Sequence, residues 1–142
     1  MVFLCMDKSH LCPCHSCKPY LECCGPYHKG TPPENARALM RSRYAAYALQ
    51  LADYIIQTTH PTNPAYKSDQ RAWKQELLQY RRDMEFTGLD ILEFVDGKER
   101  ATVTFRAHLK QGDLDASFTE KSLFLKENGR WYYASGEILS DT

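Results

Sequence analysis

Five of the six cysteines in this 142-residue chain fall between Cys12 and His28, in the run CPCHSCKPYLECCGPYH. Cys12, Pro13 and Cys14 form a C-x-C hook, and an eight-residue spacer leads to the adjacent pair Cys23 and Cys24. Thiolates spaced this closely, on a backbone stiffened by Pro13 and Pro26, suit one tetrahedral site for a soft metal. Four sulfur ligands favour zinc and leave no open position for water, so the expected Zn2+ is structural and not catalytic. The best ligand set is Cys12, Cys14, Cys23 and Cys24. Two rivals stay open. Cys17 makes a C-x-x-C with Cys14 and could replace Cys12, and His28 could replace Cys24. Reduced cysteines without a metal are the plainer alternative. Cys5 lies too far from the cluster to be needed and reads as a half-buried thiol.

The second candidate for chemistry is Glu120. By strand alternation Glu120 and Ser122 share a face with Phe118 and Phe124, and Trp131 shares one with Tyr133. A carboxylate on an aromatic face is either a base or an acid paired with an arginine, and the pairing expected here is with Arg41 or Arg43. No second acid or base is spaced to work with Glu120. No Ser-His-Asp order and no glycine-rich phosphate loop occurs. No catalytic and no organic-cofactor residue is therefore assigned, and a binding module is favoured over an enzyme. His108 alternates with the apolar positions of its strand and is expected on the outer face.

Composition supports a folded, unspecialised surface. Lys+Arg and Asp+Glu both number 18, giving a formal net charge of +0, so nothing steers the whole chain toward nucleic acid or an anionic membrane. Mean hydropathy is -0.55 and aromatics make up 12%, values of a folded rather than a disordered chain. The opening MVFLCMDKSH has no basic stretch before its short apolar start, so neither a secretion signal nor a membrane span is expected. A cytoplasmic location follows as the expectation, and there clustered cysteines serve as metal ligands more often than as disulfides.

The elements that must position these residues are legible from pattern. Residues 1–30 read as a lead-in plus a metal knuckle, and 31–142 as an α+β domain. Thr31-Pro32-Pro33-Glu34 signals a helix start, with Thr31 as the hydroxyl cap. Ala36, Leu39, Met40, Tyr44, Tyr47 and Leu51 then form an apolar stripe flanked by Arg41 and Arg43. ADYIIQTTH continues this helix or forms a second one that stops before Pro61, and HPTNP is a loop. A further helix starts at Ser68 or Asp69 and buries Trp73, Leu77 and Tyr80, with Leu78 beside them. Four strands follow, joined by turns at Asp96-Gly97, Gly112-Asp113 and Asn128-Gly129. In the second strand Ala101, Val103, Phe105, Ala107 and Leu109 alternate with polar residues, the mark of a half-buried antiparallel strand. Helices followed by a four-strand meander pack on one face of a twisted sheet.

The hook, spacer and Cys-Cys pair resemble the SEC-C motif, the zinc knuckle at the end of the SecA translocase. The longer string CPCHSCKPYLECCGPYHKG, with ALMRSRYAAY and GRWYY further on, is similar to the YchJ family of uncharacterised bacterial proteins. The chain departs from that family at His15 and Cys17, where glycines are usual. The resemblance implies a nuclear-transport-factor-like (cystatin-like) cone of helices on a curved antiparallel four-strand sheet. It also implies partners in protein export or translation, such as the SecB chaperone or the ribosome. Two functions are carried forward. The leading one is a binding or adaptor module acting through its knuckle, with His15, Ser16, Lys18 and Tyr20 as the contact surface. The alternative is a small-molecule-binding protein or enzyme using the cone pocket near Glu120.

Overall fold

The computed structural model describes residues 10–139, with the side chains of 80–82 excepted. Cys5 and the side chain of Tyr80 lie outside the described residues. The chain runs from the knuckle, with one 3-10 turn (Tyr20–Glu22) and helix α1 (Gly25–His28), into α2 (Ala36–Ala48), α3 (Ala52–Gln57) and α4 (Gln70–Arg82). Strands β1 (Glu85–Val95), β2 (Arg100–Gln111), β3 (Leu114–Asp115), β4 (Phe118–Glu127) and β5 (Arg130–Leu139) complete it.

Local chemistry sets the helix ends. The cap of α2 is Asn35, not Thr31: its Oδ1 accepts from the Ala38 N–H at 2.8 Å, and the two prolines precede the helix instead of opening it. Gln50 breaks α2 from α3. It sits at φ 62°, and the Leu51 N–H turns back to the Ala46 carbonyl at 2.8 Å, which closes the helix end in a left-handed residue. ADYIIQ is therefore a separate helix. Asp69 caps α4 through the Ala72 N–H at 3.1 Å.

The strands order as β1-β2-β4-β5, all antiparallel, with the two-residue β3 beside β2. The expected four-strand meander is thus present with one short strand added. Register shifts in β1 and between β4 and β5 mark bulges, which bend and twist a sheet. Ala101, Val103, Phe105, Ala107 and Leu109 point inward from β2 and are all buried. They meet Leu39, Met40 and Tyr44 of α2, Ile55 of α3, Phe124 of β4 and Trp131 of β5 in one core. Of the predicted stripe, Tyr47 and Leu51 lie at the margin of this core, half-buried. On the outer face His108 pairs with Asp90 at 2.7 Å. Among the described residues no helix is long and apolar enough to cross a membrane.

Candidate functional site

The knuckle is built by backbone bonds before any metal is considered. Pro13 occupies the second position of a tight turn in which the His15 N–H donates to the Cys12 carbonyl at 3.2 Å, a place where proline's fixed φ is already correct. The Cys12 N–H donates to the Lys18 carbonyl at 2.8 Å, and the Tyr20 N–H to the His10 carbonyl at 2.8 Å. These bonds fold the hook back on itself. His15 and Cys17 stand at φ 63° and 64°, the left-handed region that favours glycine. Both positions therefore carry a side chain on a strained backbone. Gly25, directly after the Cys-Cys pair, lets α1 lie close against the 3-10 turn: a Cβ there would meet the Tyr20 carbonyl oxygen at 2.8 Å.

The result gathers Cys12, Cys14, Cys23 and Cys24, whose sulfurs all lie within 4.8 Å of one another. Cys14 and Cys23 are 3.6 Å apart and Cys23 and Cys24 3.9 Å, sulfur to sulfur. Four thiolates bonded to one tetrahedral zinc-sized ion at ~2.3 Å would be ~3.8 Å apart, so the donor set fits. Cys12, Cys14 and Cys24 are buried, and Cys23 is half-buried. Hydrogen bonding within the cluster divides the thiols. The bond from Cys12 holds Cys14 well below the usual thiol range and Cys23 down to about 6, whereas Cys12, through its bond to Cys14, and Cys24, through its bond to Cys12, are pushed up. Without a metal only Cys14 and Cys23 are held toward the thiolate; all four sulfurs can be charged together only around a cation.

Neither rival joins the cluster of four sulfurs. Cys17 is exposed and disulfide-bonded, whereas the four cysteines of the tetrad are free. His28 has both ring nitrogens engaged. Its Nε2–H donates to the Ser42 carbonyl at 2.8 Å, which leaves Nδ1 to accept from the Tyr20 hydroxyl at 2.6 Å. Burial lowers its pKa and keeps the ring neutral.

The contacts around the tetrad are ones the sequence did not disclose. His28 clasps the knuckle to α2 and α3, with its ring edge-on to Tyr54 at 4.7 Å. Arg41 donates to the Cys14 carbonyl at 3.3 Å. Ser16 Oγ lies 3.1 Å from the Cys23 sulfur. His15 Nε2–H donates to the Phe86 carbonyl on β1 at 3.1 Å. Of the four residues expected on the contact surface, His15 and Lys18 are exposed, while Ser16 and Tyr20 are half-buried and already bonded. An exposed apolar side chain of the knuckle is Leu21 (69%), which shares a surface hollow with Leu49 (42%).

The cone holds a cavity of about 440 Å³ between α2, α4 and the sheet. Phe118, Glu120, Ser122 and Phe124 all line it, as strand alternation predicted. The expected ion pair does not form. Glu120 Oε2 accepts from the Ser122 hydroxyl and, at 2.9 Å, from the Tyr133 hydroxyl. Arg43 spends its Nη1 on the Ile55 carbonyl (3.1 Å) and the Thr58 and Thr59 hydroxyls (2.7 and 3.1 Å), and Arg41 reaches the knuckle. Helix phase explains this: Arg43 is carried inward toward α3, where buried acceptors cluster.

A cone-shaped α+β domain with a cysteine knuckle clasped to its first long helix defines an NTF2-like protein of the SEC-C type. The profile described as "YchJ, middle NTF2-like domain" matches residues 35–136, and the chain belongs to the YchJ family. A UPF0225 protein from Actinobacillus succinogenes is 40% identical over 131 residues, 90% of this chain and 82% of that protein. The solution structure of a SEC-C motif containing protein from Rhodopseudomonas palustris is 36% identical, covers 91% of this chain and 98% of its own, and superposes with a TM-score of 0.77. A crystal structure of a SEC-C motif containing protein from Psychrobacter arcticus is 26% identical, covers 92% and 84%, and gives 0.72.

Proposed function

We propose that this protein is a zinc-binding adaptor in which Cys12, Cys14, Cys23 and Cys24 hold one structural Zn2+ and the knuckle so stiffened is the recognition element. The observation that carries it is the convergence of four cysteine sulfurs within 4.8 Å. A full thiolate shell offers no site for substrate or water, so the ion's contribution is to fold and fix the loop. A rigid loop loses little entropy on binding. Lys18 and Leu21, both exposed on the knuckle, supply charge and apolar area for a small contact, which fits weak, transient binding. The partners implied by the family resemblance are export or translation components, SecB or the ribosome.

Elemental analysis of protein purified without added metal should find about one zinc per chain, against less than about a tenth for Cys14→Ser. A pull-down from bacterial lysate should recover an export or translation component with the wild type and lose it with Lys18→Glu/Leu21→Ala. Metal-free wild type with accessible thiols would refute the zinc. Equal recovery of the partner from both proteins would refute the adaptor role.

A further inference from the structure

The cone cavity is walled mostly by carbon. Tyr44, Trp73, Phe105, Leu109, Phe118 and Phe124 are among the side chains that line it, and its exposed lining residues, Ala65, Lys67 and Glu76, mark the mouth. Its charges cancel: Arg43 and Lys67 stand against Glu76 and Glu120. Lys67 and Glu76 are already paired with each other at the mouth. Arg43 is turned to the α3 end and stacks over the Tyr133 ring, its Cζ 4.6 Å from the ring centroid.

On Glu120 one oxygen is left over. Tyr133 and Ser122 both donate to Glu120 Oε2. Burial, with the neighbouring carboxylate second, pushes the Tyr133 phenol well above its ordinary range, so Tyr133 stays a donor at every physiological pH. Oε1 has no partner among the described residues. The backbone is shaped around this arrangement. Gly136 faces Ser122 across the β4–β5 ladder, and a Cβ there would lie 2.2 Å from Glu120 Oε2 and 2.5 Å from the Tyr133 hydroxyl. A carboxylate held by two donors on one oxygen, in an otherwise apolar cavity of ligand size, is a fixed acceptor for a single donor.

We infer that the cone cavity binds a neutral, ring-sized apolar molecule that carries one hydrogen-bond donor, received by Glu120 Oε1. The apolar walls provide the affinity and Glu120 the orientation. A ligand without the donor loses a bond to a charged acceptor.

The test uses the full chain and four naphthyl probes, with binding read by equilibrium dialysis. Naphthol, which has the donor, should bind about tenfold or more tighter than its methyl ether, which lacks it. Glu120→Leu should bring the two to within about threefold by weakening naphthol alone. Gly136→Ala, which pushes the carboxylate out of place, should do the same, and circular dichroism checks that each variant is folded. Equal affinity of the wild type for both probes, no saturable binding below about 1 mM, or a naphthol preference that survives Glu120→Leu and Gly136→Ala would overturn the inference. Tighter binding of naphthoate or naphthylmethylamine than of naphthol would overturn the assignment of a neutral ligand.

Discussion

Replacing His15 by alanine and by glycine separates what its side chain does from what its backbone costs. At φ 63° a residue with a Cβ pays ~1–2 kcal/mol relative to a right-handed conformation. Against this, the side chain donates to the Phe86 carbonyl at 3.1 Å and lies edge-on to the Tyr44 ring at 5.8 Å. The bond is exposed, so its net contribution is ~0.5–1 kcal/mol, and the ring contact adds ~0.5 kcal/mol. His15→Ala loses both contacts and keeps the strain, for a cost of about 1–1.5 kcal/mol. His15→Gly loses the same contacts, sheds the strain, and gives back ~0.5–1 kcal/mol of backbone entropy. The glycine variant should therefore be more stable than the alanine variant by ~0.5–1 kcal/mol and close to wild type. Urea denaturation of metal-replete protein reads this as a midpoint order of wild type and His15→Gly above His15→Ala at constant slope. An alanine variant as stable as the glycine variant, or more so, would refute the strain at this position.

Three further outcomes are expected. Cys14→Ser should lose the metal yet keep the far-UV signature of the 31–142 domain, because the core of that domain contains none of the cysteines; global unfolding of the variant would show that knuckle and domain fold as one unit. Asn35→Ala removes the cap of α2 and should cost ~1 kcal/mol, a fall of about 3 °C in Tm by calorimetry. Burial pushes the Tyr54 phenol up from 10.0 to about 12. The folded state thus prefers the neutral phenol, and that stabilisation is complete below pH 10 and is lost as pH rises toward 12. Tyr54→Phe should shift the alkaline unfolding midpoint to higher pH while losing the bond to Ser42 at neutral pH; an unchanged alkaline midpoint would count against the assignment.

The sequence alone determined whatever depends on neighbours along the chain. The C-x-C hook, the spacer and the Cys-Cys pair carried the tetrad, because Pro13 and Gly25 shape the loop locally. The alternation of β2 gave its buried face, because side chains on a strand repeat every two residues. The same rule placed Phe118, Glu120, Ser122 and Phe124 on one wall of the cavity. Partners chosen between distant segments were decided only in three dimensions. His28 was free in the sequence to be a metal ligand, and packing α1 against α2 put the Ser42 carbonyl and the Tyr20 hydroxyl on its two nitrogens. Glu120 could have met an arginine. The bulge between β4 and β5 and the missing Cβ of Gly136 instead let the Tyr133 hydroxyl reach it, while Arg43 was drawn to acceptors on α3. A buried donor or acceptor takes the partner that folding sets within about 3 Å of it, and linear spacing carries no record of that distance.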